Sequence, residues 1–498
     1  MKHLLYLIGL LLFSTSAFAQ KKDLLWVKKL PYRTAISQIA HDASGNIYIA
    51  GTMGGTCTFD NTTITSVGDY DAFLVKYDKD GNLLWVKNTA GIYGEESGGV
   101  TIDHSGNVYI CGDFRSKNDT SSIFGQQVVS NGDNDLFVAK LDANGNTVWI
   151  KTAGGKYEDV FYVSAGSITI DAGDNIYITA RMIGTAYFGN ITVASPHGLD
   201  AVVAAYDKNG NELWGQALGS LNWPFGRAVT IDNAGNIYAT GVVGDYEALY
   251  IVKYNVQGTM LWTKKFDDPN GHLQGYDITT APNGNLYIAG GLDGTVTFGS
   301  KTLANNNISG FQSFVLACDT AGSVLWADTV GSYSIYPTHV AADAYSNAYI
   351  SSEPAIYTRY DKDGNRIWQE QEMARNTSYT FDDEGYMYAV GGTDITYGKS
   401  YLPDTSVFLA KFAQFPTNVT SAKPVKQVLV YPNPAINTLT INAPDNGVYQ
   451  VIALNGTTYL SGNISKEKHV DISTLPSGIY ILQYEAGKET AYTMFEKR

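Results

Sequence analysis

The phrase "DKDGNLLW" at positions 78–85 returns as "DKDGNRIW" at 361–368. Looser copies lie between them: "DANGNTVW" (142–149), "DKNGNELW" (207–214), "NVQGTMLW" (255–262) and "DTAGSVLW" (319–326). A second phrase alternates with the first in seven copies, from "DASGNIYIAG" (42–51) through "DHSGNVYICG" (103–112) to "DDEGYMYAVG" (382–391). No other feature constrains the fold as much, because each repeat is one supersecondary unit that buries its apolar face only by stacking on a neighbour. Asp, Gly and Asn cluster where a tight turn demands positive φ. The flanks alternate apolar and polar residues, as strands do. Each phrase therefore reads as a hairpin, and one unit carries four strands. In the second unit these are "VTID", "NVYICG", "DLFVAKLD" and "NTVWIK".

Four-stranded units of this length predict β-propeller blades around a channel. There are seven first hairpins but six complete second ones, because the last unit ends at "VFLAKFAQF" (407–415). The missing strand is supplied by "DLLWVKKL" (23–30), which matches "GNLLWVKNT" (81–89) and has no partner before it. The expected fold is all-β: a seven-bladed β-propeller over 20–415, closed by the N-terminal strand so that no edge is left open, followed by a small Ig-like β-sandwich. The phrases "GNxYIAG" and "DAFLVKYDKDGNLLW" resemble the bacterial β-propeller repeats called SBBP over 24–415. That resemblance implies the fold and no single activity.

Residues 416–427, "PTNVTSAKPVKQ", are polar, hold two prolines and read as a linker. From 428 to 498 the chain alternates again, with turns at Asn433-Pro434, Asn455-Gly456 and Ser477-Gly478, as in a small sandwich. The pieces "VYPNP" (430–434), "IALNGTTYLSG" (452–462), "DISTLPSGIYIL" (471–482) and a basic end, Lys497-Arg498, occur in order. They resemble the type A C-terminal sorting domain of the type IX secretion system of Bacteroidota. The matching positions are Tyr431, Pro432, Asn433, Pro434, Gly456, Gly478 and Tyr480. The resemblance implies that the tail engages the type IX secretion machinery, carries the protein across the outer membrane and is then removed. Release or attachment at the cell surface follows.

The first residues agree with such a route. Lys2 precedes an apolar run, Leu4 to Phe13, and then Ala17-Phe18-Ala19, the order of a secretory signal peptide over 1–19 with cleavage after Ala19. No other segment is apolar enough to span a bilayer. The net charge is −14 and Lys and Arg are not clustered, which argues against nucleic acid and anionic membranes as partners. Three cysteines, Cys57, Cys111 and Cys318, are too few for a disulfide framework and read as small buried residues.

Searches for chemistry return little. "DKDGN" lacks the spacing of a calcium loop, and its second Asp becomes Asn144, Asn209, Gln257 or Ala321 in other copies. No zinc pattern, nucleophile elbow or P-loop occurs. The Trp-ending hairpin is similar to the tryptophan-docking repeat of quinoproteins, but those have eight blades and an adjacent cysteine pair that this chain lacks. No cofactor and no metal are expected.

The informative residues are those that do not repeat. Connections from a fourth strand to the next first strand open on one face, and each carries an aromatic residue. Candidate ligand contacts are Tyr32, Arg33, Tyr93, Tyr157, Trp223, Arg227, Tyr276, Tyr333 and Tyr336, with Tyr379, His272 and His339 close in sequence. Variable loops on a rigid scaffold are where binding resides, and aromatic rings stack on sugars or grip peptides. The expected function is non-enzymatic binding of a glycan, a peptide or an envelope protein by a monomer. The alternatives are a polysaccharide hydrolase or lyase using Glu95, Glu96, Glu158 and Asp159, and a purely structural spacer. Recurrence of these carboxylates between units favours a turn or cap over catalysis.

Overall fold

The computed structural model describes residues 24–498 except 117–119, 158, 160–166, 220–223, 245–247, 269–270, 306–309, 331–336, 353–355, 372–374, 393–406, 414–428, 454–456 and 487–488. The expected leader (1–19) and linker (416–427) lie outside the described residues. Those residues hold strands and turns and no helix.

The turns of most hairpins are built by one aspartate; Asn255 takes its place in one and Ala281 in another. In the second unit, Asp103 Oδ1 accepts the N–H groups of Ser105 (2.9 Å) and Asn107 (2.8 Å). Its Oδ2 accepts the Asn107 amide (2.8 Å) and the Tyr109 hydroxyl (3.1 Å). Gly106 closes the turn at φ +77°, a backbone that side-chain-bearing residues resist. Asp42, Asp171, Asp232 and Asp343 repeat this arrangement with Tyr48, Tyr177, Tyr238 and Tyr349. In "DKDGN", the stretch that resembles a calcium loop, the Asp78 carboxylate is occupied in the same way by the Asp80 and Asn82 N–H groups and the Asn82 amide of its own turn.

The hairpins assemble into antiparallel units of four main strands, the second and third of which are joined into one sheet where Ala153, Gly154 and Gly155 pair with Phe188, Tyr187 and Ala186. The first unit runs Thr34–His41, Ile47–Met53, Asp71–Tyr77 and Leu83–Asn88; the second, Glu95–Ile102, Val108–Phe114, Asp135–Leu141 and Thr147–Gly155. The third follows as Ile168–Ile170, Ile176–Phe188, Ile191–Tyr206 and Glu212–Ala217, and the fourth as Phe225–Ile231, Ile237–Val243, Ala248–Tyr254 and Met260–Phe266. The fifth holds Gly271–Thr280, Leu286–Phe298, Gln312–Cys318 and Val324–Val330; the sixth, Pro337–Ala342, Ala348–Ser352, Ile356–Tyr360 and Arg366–Gln371. The last sheet combines Arg375–Phe381, Met387–Gly392 and Val407–Phe412 with Leu24–Leu30 from the start of the described chain. Each first strand lies beside the first strand of the next unit, and Arg375–Phe381 lies beside Thr34–His41. This is the arrangement of a β-propeller.

Tryptophan and lysine fasten one unit to the next. Trp85 Nε1–H donates to the Ala143 carbonyl (3.1 Å), in the turn of the following unit. Trp149, Trp214 and Trp326 do the same to Lys208, Val256 and Lys362. Each ring covers the turn glycine, so that a Cβ on Gly258 would fall 2.5 Å from the Trp214 ring. Trp26 covers Gly81 of the first unit in the same way, 3.3 Å from such a Cβ. Lys140 sits 4.8 Å over the Tyr109 ring and 3.4 Å from Asp103, and donates to the Lys208 carbonyl (3.1 Å). Lys411, in the last sheet, reaches back to the Lys79 carbonyl of the first unit (3.3 Å).

A further repeated element lies between second and third strands. Thr56–Phe59 pairs with Thr62–Thr65, and Ser121–Ile123 with Gln126–Val128. The ends of Ile176–Phe188 and Leu286–Phe298 pair likewise with Ile191–Tyr206 and Lys301–Ala304. Each of these small hairpins buries one phenylalanine: Phe59, Phe124, Phe188 or Phe298. The three cysteines are free and buried.

In the tail, Thr438–Ala453 pairs with both Thr458–Asp471 and Gly478–Ala486. Leu429–Tyr431 and Glu489–Lys497 extend the sheet on either side. Leu439, Ile441, Val451, Ile464, Tyr480, Leu482 and Phe495 form its core.

Candidate functional site

Antiparallel alternation puts the tight turns at one end of the sheets. The small hairpins and the connections between units lie at the other. At that second end every described first strand of full length carries a bulge at one position. Ser37, Gly98, Arg227, Tyr276 and Thr338 are each the extra residue opposite a regular partner strand. A bulge twists a strand and re-aims the next side chain. Here the residue after the bulge reaches the neighbouring unit. Gln38 Oε1 accepts the Val100 N–H (2.9 Å), Asp277 Oδ2 the Val340 N–H (2.8 Å), and Ser378 Oγ the Ile39 N–H (3.3 Å).

Two of the sequence candidates, Arg227 and Tyr276, are bulge residues of adjacent first strands, and the guanidinium lies 4.9 Å from the ring centre. Tyr276 is a strand residue rather than a loop residue: it is buried and its hydroxyl bonds to Gln274 Oε1. Tyr379 is also a buried strand residue. Its ring meets His339 edge-on, and its carbonyl lies 3.0 Å from His339 Nε2. His339 Nδ1 is 2.6 Å from Asp277 Oδ2, so Asp277, His339 and Tyr379 clasp three successive units. His272 is exposed at the start of its strand.

The remaining described candidates stand at the surface. Tyr32 is 45% exposed, and the Arg33 guanidinium lies 5.5 Å from its ring centre. Arg33 takes φ +68° and its carbonyl accepts the Gly54 N–H (3.1 Å), holding the pair against the first small hairpin. Tyr93 is half-buried. Tyr157 is 51% exposed, packs over Gly184 and has Lys156 5.7 Å from its ring centre. Trp223, Tyr333, Tyr336 and Glu158 lie outside the described residues.

Two exposed tyrosines of this end escape a reading of connections alone. Tyr187 pairs with Gly154 across the seam between the second and third units, on the far side of a small hairpin. Tyr70 precedes a third strand, and burial and the nearby Glu96 raise its phenol above the ordinary range. Their signal is the small-hairpin repeat, since Tyr187 falls inside "TAYFG" and Tyr70 ends the return of the hairpin that "TCTFD" opens, ten residues further on.

The carboxylates here are engaged. Glu95 begins a strand, is fully buried, and accepts from Gly91 N–H (3.1 Å), Thr89 Oγ1 (3.2 Å) and Ser121 Oγ (3.2 Å). Burial pushes its carboxyl up to about 7 against those bonds, with Asp71 adding to the rise. Asp159 holds the equivalent turn by accepting from Gly155 N–H (2.7 Å) and Ile183 N–H (3.0 Å). Asp71 and Asp135, each the first residue of a third strand, are raised by burial to about 6 and about 7. These groups cap turns at unit junctions, and no group of three or more metal-ligating side chains occurs among the described residues.

Residues 429–495 match the family described as secretion system C-terminal sorting domain. The chain is thus exported by type IX secretion to the cell surface or beyond, and its tail meets that machinery. An uncharacterised WD repeat-containing protein of Acanthamoeba polyphaga mimivirus is 24% identical over 272 residues, covering 51% of this chain and 17% of the relative. The chain therefore spans about a sixth of that relative's length. Among solved structures, the Dos1 propeller is similar at 9% identity and TM-score 0.42, with 76% of this chain and 78% of that chain covered. BamB from Moraxella catarrhalis is similar at 13% identity and TM-score 0.36, covering 80% and 99%. The polysaccharide lyase Uly1 is similar at 9% identity and TM-score 0.44, covering 78% and 99%.

Proposed function

We propose that the chain is a seven-bladed propeller, closed by Leu24–Leu30, that binds a glycan, a peptide or an envelope protein without chemistry. Export removes a leader over 1–19 and uses an Ig-like tail over 428–498. The observation that carries the binding reading is the contrast between rings and carboxylates at one end of the sheets. Tyr32 and Tyr157 stand half-exposed beside cations, and Tyr187 stands half-exposed too. Glu95 and Asp159 meanwhile spend their oxygens on turn amides. Exposed rings fixed by a rigid sheet are suited to stacking on sugar or peptide faces.

A glycan-array and peptide-array screen of the exported protein tests this, beside a variant carrying Tyr32→Ala, Tyr157→Ala and Tyr187→Ala. Binding that disappears in a variant with wild-type melting supports the face. Binding that survives moves the site elsewhere. Hydrolysis or elimination would instead require a junction carboxyl such as Glu95, which burial pushes up to about 7, to reach substrate. Release of reducing or unsaturated sugar ends, abolished by Glu95→Gln, would establish that alternative.

A further inference from the structure

One side chain ties the front of the tail to the end of the chain. Asn433 Nδ2 donates to the Met494 carbonyl (3.2 Å), and Asn433 Oδ1 accepts the Glu496 N–H (2.9 Å). Backbone bonds continue the pairing: Ala435 N–H to the Glu496 carbonyl (2.8 Å) and Arg498 N–H to the Ala435 carbonyl (2.9 Å). Ala435 and Lys497 form a parallel bridge. The sequence explains why a side chain is needed. Pro432 and Pro434 have no N–H to give, so this stretch cannot hold the last strand with an ordinary ladder. An asparagine amide offers the donor and acceptor of a peptide group and replaces the missing rung.

The result is a joined surface. Ala435 and Lys497 are buried, whereas Tyr431 (45%) and Ile436 (64%) stay exposed on the front segment. Arg498 is exposed at the end of the chain and pairs with Glu496 (2.8 Å). The family match stops at 495; beyond it, Glu496 and Lys497 still pair with Ile479 and Gly478 on one side, and this clamp holds them on the other.

We propose that Asn433 is a positioning residue for export: it holds residues 496–498 against the "YPNP" segment so that the secretion machinery meets Tyr431, Ile436 and Arg498 as one surface. This rests on the reading of the tail as the export signal. Chain ends that are not tied down fray at little cost in global stability. Loss of the clamp therefore displaces Arg498 while leaving the core around Leu439 and Phe495 folded.

The test uses the full chain, expressed in a cell with an active type IX system. Asn433→Ala, Asn433→Asp, Ile472→Val and a chain truncated after 427 are compared by the fraction reaching the surface or medium. Amide exchange at Glu496 and Arg498 is read on the purified full chains. Asn433→Ala is expected to speed exchange at both amides by about tenfold or more with a melting shift of only a few degrees. Its exported fraction should fall by about fivefold, while Ile472→Val, which trims the tail core by one methyl group, exports within about twofold of wild type. Asn433→Asp keeps the acceptor alone and should fall between them. Wild-type export of Asn433→Ala, with the truncated chain retained in the periplasm, would overturn the positioning role and leave the export reading intact. So would an export loss no greater than that of Ile472→Val. Export of the truncated chain would overturn the reading of the tail itself.

Discussion

The two ends of the sheets use the same residue types for opposite purposes. At the turn end, Asp103, Asn107, Tyr109 and Lys140 satisfy one another and the turn backbone, and the set recurs from unit to unit. At the other end, tyrosines and cations also meet, but Tyr32 with Arg33 and Tyr157 with Lys156 do so at the surface and do not recur. Repetition marks groups whose bonding is complete within the fold. Groups that do not recur divide into buried ones such as Tyr276 and His339 and exposed ones such as Tyr32 and Tyr157.

Substitutions at the turn end should cost the most stability. Asp103→Ala removes the acceptor of four hydrogen bonds and strands the mostly buried Lys140 ammonium. A loss of about 3–4 kcal/mol is expected by denaturant titration. At present that carboxyl is held below its ordinary range: burial opposes this, but the Asn107 bonds and the Lys140 charge outweigh it. Gly258→Ala places a Cβ against the Trp214 ring at φ +78° and should cost about 2–3 kcal/mol. An equal cost for Gly125→Ala, where φ is +88° but nothing lies within 4 Å, would show that backbone strain rather than the tryptophan dominates.

The junction carboxyls give an effect that depends on pH. The folded value of Glu95, about 7, lies above its ordinary 4.5. Its contribution to stability is therefore fully present below about 4.5 and lost as pH rises through 7. Glu95→Gln should be more stable than wild type by about 2–3 kcal/mol at pH 8.5, and most of that gain should vanish at pH 5. An opposite slope would mean that the turn bonds from Thr89, Gly91 and Ser121 prevail over burial. Smallest in stability is Tyr157→Ala, expected within about 0.5 kcal/mol of wild type because the ring is half-exposed. The same change should weaken whatever the protein binds, as read on the array. A stability loss of several kcal/mol with unchanged binding would put Tyr157 with the scaffold.

Much of the scaffold was legible in the chain because turn chemistry is local. A "DxxGN" pentad contains the donors and acceptors of its own hairpin, and Trp26 repeats the surroundings of Trp85 even though its strand precedes the first unit. The connections were less legible. Tyr276 and Tyr379 belong to strands because the first strands start earlier than the hairpin phrases suggest, and a bulge there leaves no signature in composition. The inserts "SIFGQQVVSNGDND" and "TVTFGSKTLANNN" stand out in the chain as extra length on this face, but not as a repeated hairpin, because what the copies share is a single phenylalanine packed on its own sheet, as Phe59 is on Phe73.

By itself, the sequence determined that the chain is built of repeated four-stranded units followed by a distinct β tail, since hairpin turns and strand alternation are properties of neighbouring residues; the export role of the tail rests on its family motifs. Only the tertiary structure decided which polar groups are occupied. Whether Glu95 meets a ligand or its own turn, whether His339 is free or clasped between Asp277 and Tyr379, and whether Asn433 reaches the last strand all depend on residues brought together from distant parts of the chain. Burial and hydrogen-bond partnership are set by that folding, and no local pattern encodes them.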